Sequence, residues 1–383
     1  MTTSPAAPTS TTADVPALAD LTTLRLGGPA GRYVEAASAE ELVAEVRAAD
    51  DAGQPVLVLG GGSNLVVPDE GFPGLVVRDV RTGIRLDDAM SCVGASITVP
   101  AGTPWVDVVD RAVAEGWVGV EALAGIPGST GATPVQNVGA YGQEVSGVIS
   151  TVRVWDREQQ RTRTLALTDL AFGYRTSLLK RSLREADGSP SRWAPTPRYV
   201  VLEVGFQLRL GTLSAPVAYA ELARRLDVAV GERAPLAEVR AAVLELRGGK
   251  GMVLDAADRD TWSAGSFFTN PVVPAEVADM LPEGAPRYPV RPTTSAAAPA
   301  SGAGGEALVK TSAAWLIDNA GFTKGYGLPG VVGLSTKHSL ALTHRGGGST
   351  EDLLTLARSV RDGVREAYGI TLEAEPVLVG CSL

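Results

Sequence analysis

The chain has 383 residues, 45% of them apolar and 20% charged, the composition of an ordinary globular protein with room for two or three domains. Its net charge of −9 argues against a nucleic acid as partner, so an anionic ligand would need a local cluster of Arg and Lys. No segment approaches the roughly 18 consecutive apolar residues of a membrane span, and we expect no membrane partner.

Cysteine and histidine are scarce in this sequence. Cys92 and Cys381 provide no disulfide framework, and His338 and His344 lack an accompanying pattern of metal ligands. We therefore predict no metal site, and we expect His338 to be a structural residue on a strand. The G-x-S-x-G pentapeptide of hydrolase nucleophile elbows is also absent. The chemistry is predicted to belong to a bound cofactor.

The N-terminal part of the chain is predicted to be a tail followed by a small unit of strands and one helix. Residues 1–18 are rich in Thr, Ala, Ser and Pro, a composition typical of a flexible tail rather than a signal peptide. A strand is predicted at Tyr33–Ala36. Ser38 and Glu41 then form a capping box that begins a helix, and an apolar strand follows at Pro55–Leu59.

Two glycine-rich segments indicate where a ligand binds. The apolar strand runs directly into GGGSNL at 60–65, and no helix follows, so this is neither a Rossmann turn nor a P-loop. The segment 121–145 is also rich in glycine, lacks Lys and Arg, and is predicted to form no regular element. Bare backbone N–H groups beside Ser, Thr, Gln and Asn side chains suit a diphosphate and a polar heteroaromatic ring. The alternative is a long surface loop.

The rest of the chain alternates strands and helices. Thr103 is predicted to cap a helix that Pro104 begins. Further helices are predicted from Pro235 to Leu246, Ala313 to Ala320 and Ser349 to Tyr368, and further strands at Thr151–Trp155, Arg163–Leu167 and Tyr199–Leu210. The segment Pro286–Glu306 is rich in Pro, Ala, Ser and Gly and is predicted to be a disordered insertion. A final strand is predicted at Thr371–Gly380.

Six motifs, in order and at plausible spacing, resemble the UDP-N-acetylenolpyruvoylglucosamine reductase (MurB) family. They are GGGSNL at 60–65, AGIPGSTGATPVQNVGAYGQE at 124–144, FGYRTS at 172–177, AGSFFTNP at 264–271, SAAWLIDNAG at 312–321 and EAEP at 373–376. No single motif is specific, but their combination is. The resemblance extends from about residue 21 to residue 380, nearly the whole chain.

The resemblance implies an α+β fold. Two α+β subdomains form an FAD-binding fold like that of the vanillyl-alcohol-oxidase flavoproteins, and a third α+β domain binds the substrate. Mapped onto this chain, the first subdomain covers 19–80 and is completed by 370–383. The second subdomain covers 81–235, and the substrate-binding domain covers 236–369 with the insertion at 286–306 inside it.

The reaction that the resemblance implies is the NADPH-dependent, FAD-mediated reduction of UDP-N-acetylglucosamine-enolpyruvate to UDP-N-acetylmuramate, in cytoplasmic synthesis of peptidoglycan precursors. Hydride addition to the terminal carbon leaves negative charge on the substrate carboxylate, which a guanidinium and a carboxylic acid would stabilise. Arg175 and Glu375 match the family's positions for these two groups. Ser266 matches the family's proton donor.

The resemblance also assigns binding residues. Noncovalent FAD is assigned to Gly60, Gly61, Gly62, Ser63, Asn64, Leu65, Gly125, Ile126, Pro127, Gly128, Ser129, Thr130, Gly131, Ala132, Gln136, Asn137, Gly139, Ala140 and Tyr141. The substrate is assigned to Tyr174, Tyr219, Lys250 and Asn270. Lys180 receives no role and is taken as the reference lysine against which substitutions of Lys250 are compared.

Two other functions remain open at this point. Related flavoproteins oxidise alcohols or sugars, and many attach the flavin covalently through a His beside the first glycine cluster, where Gly60–Asn64 has none. A non-catalytic flavin or nucleotide binder is the second alternative, and it gives no reason for Arg175, Ser266 and Glu375 to occur together. Nothing in the sequence indicates an obligate protein partner.

Overall fold

The structure, a computed structural model, describes residues 15–90, 92–290 and 307–383. Residues 1–14 of the predicted tail and 291–306 of the predicted insertion lie outside this part of the chain. The predicted tail and the predicted insertion each include residues that the structure places in a helix or a strand. Leu18 is fully buried and begins a helix, and Arg287–Pro289 forms a strand. Leu18 and Arg287–Pro289 are therefore wrongly included in the predicted tail and the predicted insertion.

Ten α-helices lie within the described residues. They are α1 (Leu18–Leu21), α2 (Ala39–Asp51), α3 (Trp105–Glu115), α4 (Thr133–Gln136), α5 (Leu178–Arg181), α6 (Ala220–Leu226), α7 (Leu236–Gly249), α8 (Ala275–Asp279), α9 (Ala313–Asn319) and α10 (Thr350–Tyr368). Ser38, Ser312 and Ser349 cap α2, α9 and α10 through their hydroxyls, and the cap at Ser38 confirms the prediction made for α2. The prediction that Thr103 caps α3 is wrong, because its hydroxyl donates to the Gly83 carbonyl.

Eighteen strands lie in the same ranges. They are β1 (Ala30–Ala36), β2 (Val56–Leu59), β3 (Leu65–Val66), β4 (Phe72–Asp79), β5 (Arg85–Met90), β6 (Gly94–Pro100), β7 (Trp117–Val118), β8 (Gly139–Ala140), β9 (Gln143–Glu144), β10 (Ile149–Asp156), β11 (Arg161–Ala166), β12 (Tyr199–Leu210), β13 (Val272–Pro274), β14 (Arg287–Pro289), β15 (Leu308–Thr311), β16 (Val332–Leu334), β17 (Leu342–His344) and β18 (Val377–Leu378).

The first sheet is parallel, with strand order β1-β4-β2. Strand β2 reads VLVL and is almost wholly buried, as strands of parallel sheets covered on both faces are. Leu42 of α2 packs in one core with Val77 of β4 and with Trp155 of β10, so the sheet also lies against the next one. Strand β2 ends at Leu59 and leads directly into the first glycine-rich segment.

The central sheet is antiparallel, with order β11-β10-β12-β6-β5 and β7 paired to β12. Phe206 of β12 packs on Trp105 of α3, with ring centres 5.9 Å apart. Helix α7, predicted to open the third domain at residue 236, buries Val239 and Val243 in this same core. The boundary between cores therefore falls after α7, a correction to the predicted domain limit.

The third core is formed by α9 and α10 with the small antiparallel sheet β13-β15-β14 and the hairpin β16–β17. Leu353, Leu356, Val360 and Val364 of α10 are all buried and pack in one cluster with Leu316 of α9, which confirms the predicted apolar stripe. The turn between β16 and β17 holds His338, so its predicted place on a strand is wrong. No described helix is long and apolar enough to cross a membrane.

The C-terminal segment returns to the N-terminal part of the chain. Strand β18 pairs in parallel with β3, and the Val377 N–H donates to the Asn64 carbonyl at 2.9 Å. The prediction of one strand across Thr371–Gly380 is wrong, since only β18 is a strand. Glu375 lies just before it, and its N–H donates to the Phe267 carbonyl at 2.9 Å.

The segment 121–145 contains several short elements, so the prediction that it forms none is also wrong. It holds 3₁₀ turns at Glu121–Leu123 and Thr130–Ala132, helix α4, and the two-stranded ladder β8–β9. Each element is four residues or shorter. The segment therefore remains a folded loop in which the backbone changes direction repeatedly.

Candidate active site

The two glycine-rich segments meet backbone to backbone. A Cβ atom on Gly61 would lie 2.6 Å from the Cα atom of Gly128, a contact that side-chain-bearing residues cannot make. The Ser63 hydroxyl donates to the Pro127 carbonyl at 3.0 Å and holds the two segments together. The glycines at these positions are thus required by the close approach of the two segments.

A cleft of about 330 Å³ opens beside this contact. The backbone N–H groups of Gly61, Gly62 and Ser63 face no acceptor elsewhere in the described chain. Unpaired backbone donors beside a cleft form a binding site for an anion such as a diphosphate. Apolar residues including Leu57 and Val200 supply further walls, which suit an aromatic ring system.

Most residues assigned to the cofactor line this cleft. They are Gly60, Gly61, Gly62, Ser63, Asn64, Leu65, Ile126, Pro127, Gly128, Ser129, Gly131, Ala132, Gln136 and Gly139. The others are Gly125, Thr130, Asn137, Ala140 and Tyr141, which do not line it. Thr130 is fully buried, and its hydroxyl donates to the Thr103 carbonyl at 2.9 Å. Thr130 thus holds the loop in shape.

Asn137 is likewise buried and serves the loop itself. Its side-chain nitrogen donates to the Glu144 carboxylate and to the Gly173 carbonyl, both at 2.9 Å. Its side-chain oxygen accepts from the Ser146 N–H at 3.3 Å. With all of these groups engaged, Asn137 joins the second glycine-rich segment to the FGYRTS motif.

A guanidinium and a carboxylate face each other in the cleft. Arg175 Nε lies 3.3 Å from Glu375 Oε1, and the two side chains are only 22% and 17% exposed. Gln136 Nε2 donates to the same carboxylate oxygen at 3.0 Å. Glu375 Oε2 accepts no hydrogen bond from the residues that the structure describes. This second oxygen is therefore available to a ligand.

The position of Arg175 is set by its backbone and by the second glycine-rich segment. Its φ of 50° lies in the left-handed region that non-glycine residues rarely adopt. Its Nη2 donates to the Gly139 carbonyl at 2.7 Å and its Nη1 to the Asn137 carbonyl at 3.4 Å. The Ser177 hydroxyl donates to the Val135 carbonyl at 2.8 Å. These contacts orient the guanidinium toward Glu375.

Ser266 lines the same cleft as Arg175 and Glu375. The segment that carries it runs beside the C-terminal segment, because Phe267 accepts the Glu375 N–H. Phe267 and Phe268 are buried against each other, with ring centres 5.1 Å apart, and anchor the segment. The three residues predicted to be catalytic, distant in sequence, are brought together at one cleft.

The four residues assigned to the substrate lie outside this cleft, and two of them form one group. The Lys250 Nζ atom lies 2.6 Å from the Glu221 carboxylate and 5.7 Å from the centre of the Tyr141 ring. Tyr219, 48% exposed, packs edge-on against Tyr141 with ring centres 5.5 Å apart. One cation and two phenols therefore lie together beside the second glycine-rich segment.

Tyr174 and Asn270 form the other pair. The Asn270 Oδ1 atom accepts the Ala313 N–H at 2.9 Å, a contact at the start of α9. Burial raises the pKa of the Tyr174 phenol. The Lys310 Nζ atom lies 4.6 Å from the centre of the Tyr174 ring, and burial lowers the pKa of Lys310. Lys310 is not among the predicted site residues, and its only signal in the sequence is its place just before SAAWLIDNAG.

Two further cations in the cleft were missed. Lys180 Nζ donates to Gln136 Oε1 at 2.8 Å and to the Glu375 carbonyl at 3.3 Å, so its use as a remote reference lysine is wrong. Burial lowers the pKa of Arg247 to about 10, and its Nε has no partner among the described residues. Lys180 follows the FGYRTS motif closely in the sequence, and Arg247 lies just before Lys250. These positions are the sequence signals from which the two cations could have been predicted.

Comparison with known proteins identifies the class. Residues 30–158 match the FAD binding domain family. With its α+β architecture and glycine-lined cleft, the chain is a flavin-dependent oxidoreductase, which confirms the predicted fold class and cofactor. Within the described residues no group of three or more His, Cys, Asp or Glu could hold a metal ion.

The particular family follows from closer relatives. Residues 256–379 match the family described as UDP-N-acetylenolpyruvoylglucosamine reductase, C-terminal domain. Proteins of that name from Salinispora arenicola and Cutibacterium acnes are 52% and 51% identical, over 96% and 97% of this chain and 95% and 90% of theirs. The crystal structure of UDP-N-acetylenolpyruvylglucosamine reductase from Thermus caldophilus has a TM-score of 0.60 at 25% identity, covering 96% of this chain and 98% of that one. The chain belongs to the UDP-N-acetylenolpyruvoylglucosamine reductase family.

Proposed function

We propose that this protein reduces the enolpyruvyl group of UDP-N-acetylglucosamine-enolpyruvate to the lactyl ether of UDP-N-acetylmuramate, with NADPH as the reductant. The observation that carries the proposal is the meeting of Arg175, Ser266 and Glu375 at a cleft lined by two glycine-rich segments. Membership of the family supports the same reaction. The reaction is a step of peptidoglycan precursor synthesis, and we place it in the cytoplasm.

The cleft suits one FAD per chain. The free N–H groups of Gly61, Gly62 and Ser63 would hold its diphosphate. Neither histidine of the chain lines the cleft, so we expect the flavin to be bound noncovalently. When bound, FAD supplies hydride transfer from the nicotinamide to the methylene carbon of the enolpyruvyl group.

Three side chains act on the substrate in this proposal. As hydride adds to the methylene carbon, the electron pair of the double bond moves toward the carboxylate. The Arg175 guanidinium and the Glu375 carboxyl group, acting as a neutral carboxylic acid that donates a hydrogen bond, stabilise the charge that develops there. The Ser266 hydroxyl donates its proton to the carbon next to the carboxylate. A serine hydroxyl is a weak acid, but the charged intermediate is a strong base, so a well-positioned donor suffices.

Four residues outside the cleft would bind the rest of the substrate. A ligand with a diphosphate and a carboxylate needs local cations on a chain of net charge −9. We assign Lys250 and Tyr219 to the diphosphate, because a cation and an exposed phenol lie together there. Tyr174 and Asn270 would contact the substrate from the side of the third core.

We also propose the division of labour between the parts of the chain. Residues 19–80 form the first FAD-binding subdomain and are completed by 370–383, an assignment supported by the pairing of β18 with β3. The second subdomain begins at residue 81 and extends through α7, because α7 shares its core. The remaining residues to 369 form the substrate-binding domain.

The Ser266→Ala variant tests the proposed chemistry. The substitution removes one hydroxyl and leaves both glycine-rich segments unchanged, so FAD should still bind and NADPH should still reduce it at close to the normal rate. Reoxidation by the enolpyruvyl substrate should slow by roughly 10²–10⁴-fold, the effect of losing a general acid. Stopped-flow absorbance of the flavin measures each half-reaction separately.

Ser359→Ala, which removes an exposed hydroxyl on α10, is the matched control and should leave both rates unchanged. Ser266→Cys should recover part of the lost rate, because a thiol also donates a proton. If Ser266→Ala slows both half-reactions equally, or neither, Ser266 is not the proton donor. Consumption of NADPH without the enolpyruvyl substrate, at the rate seen with it, would instead show that the electrons pass to oxygen and not to the substrate.

A further inference from the structure

A buried ammonium group stands behind the carboxylate of the proposed site. Lys180 on α5 lines the cleft, and its Nζ atom contacts Gln136 Oε1 at 2.8 Å and the Glu375 backbone carbonyl at 3.3 Å. Both partners are neutral oxygens. Burial lowers the pKa of Lys180 below its ordinary value. Burying a cation costs free energy, and the hydrogen bonds to neutral oxygens and the nearby Glu375 charge offset part of that cost.

The ammonium and the Glu375 carboxyl group together hold the Gln136 amide in one orientation. An ammonium group donates hydrogen bonds and accepts none, so the amide must present its oxygen to Lys180. The amide nitrogen is then directed at Glu375 Oε1, 3.0 Å away. Without the cation, the amide oxygen would lose its partner, and Glu375 alone would hold the amide in place.

We propose that Lys180 is a positioning residue for the reaction: through the Gln136 amide it holds Glu375 Oε1 on one side, so that Oε2 faces the substrate. The inference rests on the proposed function, in which Glu375 stabilises the charge on the substrate carboxylate. Arg175 also engages Oε1, at 3.3 Å, so the two contacts hold the same oxygen. The other oxygen keeps its hydrogen-bonding capacity for the ligand.

The step that depends on Glu375 should therefore be the step that depends on Lys180. Flavin binding relies on the two glycine-rich segments. Within these segments, the Lys180 ammonium donates a hydrogen bond to Gln136 alone among the described residues. Flavin reduction by NADPH needs no group that acts on the substrate carboxylate. A displaced Glu375 carboxyl group would slow substrate reduction, because small misplacements of a catalytic group cost up to about 10²-fold in rate.

The test is Lys180→Met, which keeps an unbranched side chain of similar length and removes the charge. We expect normal FAD content, an unchanged dissociation constant for the enolpyruvyl substrate measured from the flavin spectrum, and flavin reduction by NADPH within about twofold of normal. Reoxidation by the substrate should slow by about 10–100-fold. Lys180→Arg, which retains donors, should recover part of this rate. Arg181→Met removes an exposed cation from the same helix and should change nothing.

A double-mutant cycle with Gln136→Leu separates positioning from a general structural effect. If Lys180 acts through the amide, Lys180→Met should slow substrate reduction little further once Gln136 is replaced. Additive losses of rate in the double variant would overturn the proposal. Three results with Lys180→Met alone would also overturn it: equal losses of rate in both half-reactions, a loss of substrate affinity alone, or a rate equal to that of the unmutated enzyme. An unmutated enzyme that fails to reduce the substrate would contradict the proposed function itself, which is a different outcome.

Discussion

Arg175 is held at the site in a conformation that its own backbone disfavours. A non-glycine residue with a φ of 50° costs on the order of 1 kcal/mol. The carbonyls of Gly139 and Asn137 accept its guanidinium N–H groups and offset part of that cost. The guanidinium is thereby positioned before any ligand arrives, which is the condition for stabilising charge without reorganisation.

At the scale of single residues, Lys250→Ala tests the substrate assignment. The substitution removes the ammonium beside Tyr141 and Tyr219. A hydrogen bond to a charged group contributes about 1.5–3 kcal/mol, so KM for the enolpyruvyl substrate should rise roughly 10–100-fold. FAD content should not change. Steady-state kinetics with the substrate varied at saturating NADPH measures the effect.

Lys337→Ala is the control for this prediction. It removes an ammonium group from a partly exposed ion pair with Asp258. Ion pairs of this kind contribute little to the stability of the fold. KM should stay at the value of the unmutated enzyme. Equal increases in KM for the two variants would refute the assignment of Lys250 to the substrate.

At the scale of elements, the contact between the two glycine-rich segments sets the shape of the cleft. Strand β2 delivers the first segment, and the turns and short helix of 121–145 present the second. The two backbones touch at Gly61 and Gly128, so the distance between the segments leaves no room for a side chain at Gly61. Any atom added there must push the segments apart.

Gly61→Ala should therefore weaken FAD binding. The added Cβ atom meets backbone that has no side-chain freedom to yield, and overpacking costs about 1–3 kcal/mol. We expect the dissociation constant of FAD to rise by roughly 10–100-fold. Titration of the apoprotein with FAD, followed by quenching of flavin fluorescence, measures it. Gly147→Ala, where a Cβ atom meets nothing within 4 Å, should bind FAD normally, and an equal loss there would refute the steric explanation.

At the scale of the whole molecule, both histidines of the chain are buried to a large extent and have lowered pKa values. Burial, followed by the nearby charges of Lys250 and Lys324, lowers the pKa of His338 to about 4. His344 Nδ1 donates to the Leu24 carbonyl, and its Nε2 accepts the Gly348 N–H. Only the neutral ring can form both bonds, because the protonated ring has no acceptor.

The protein should therefore lose stability in mild acid. Between the unfolded pKa of about 6.5 and the folded value of about 4 for His338, the unfolded chain binds the proton and the folded chain does not. The free energy of unfolding then falls as pH falls, by about 2 kcal/mol at pH 5 for this residue. Urea unfolding at pH 7.5 and pH 5, with FAD held at one saturating concentration, measures the difference.

His338→Gln is the variant that isolates this effect. It removes the titrating group, so the difference in stability between the two pH values should shrink by about the same 2 kcal/mol. The urea m-value should not change, since the folded structure exposes the same surface. An unaltered pH dependence in the variant would show that His338 does not remain neutral in the folded protein.

Features that depend on neighbours in the chain could be predicted from the sequence. Ser38 and Ser349 cap their helices because a hydroxyl at that position reaches an N–H three residues on, and α10 buries its apolar stripe. Local patterns gave wrong predictions where a distant segment supplies the partner of a side chain. Thr103 has the right place for a cap, yet the Gly83 carbonyl takes its hydroxyl. Helix α7 is predicted to begin a separate domain, but it packs on the central core.

The sequence by itself determined the family, the cofactor class and the types of residue at the site. Each glycine cluster, and each motif around Arg175, Ser266 and Glu375, is a continuous stretch of residues that can be recognised without the fold. Only the tertiary structure decided that β18 lies beside β3, that Glu375 thereby reaches Arg175, and that Lys180 holds the Gln136 amide. The physical reason is the range of the interactions. Caps and turns satisfy backbone groups within a few residues, whereas the partner of a buried side chain is chosen by whichever distant segment the topology places against it.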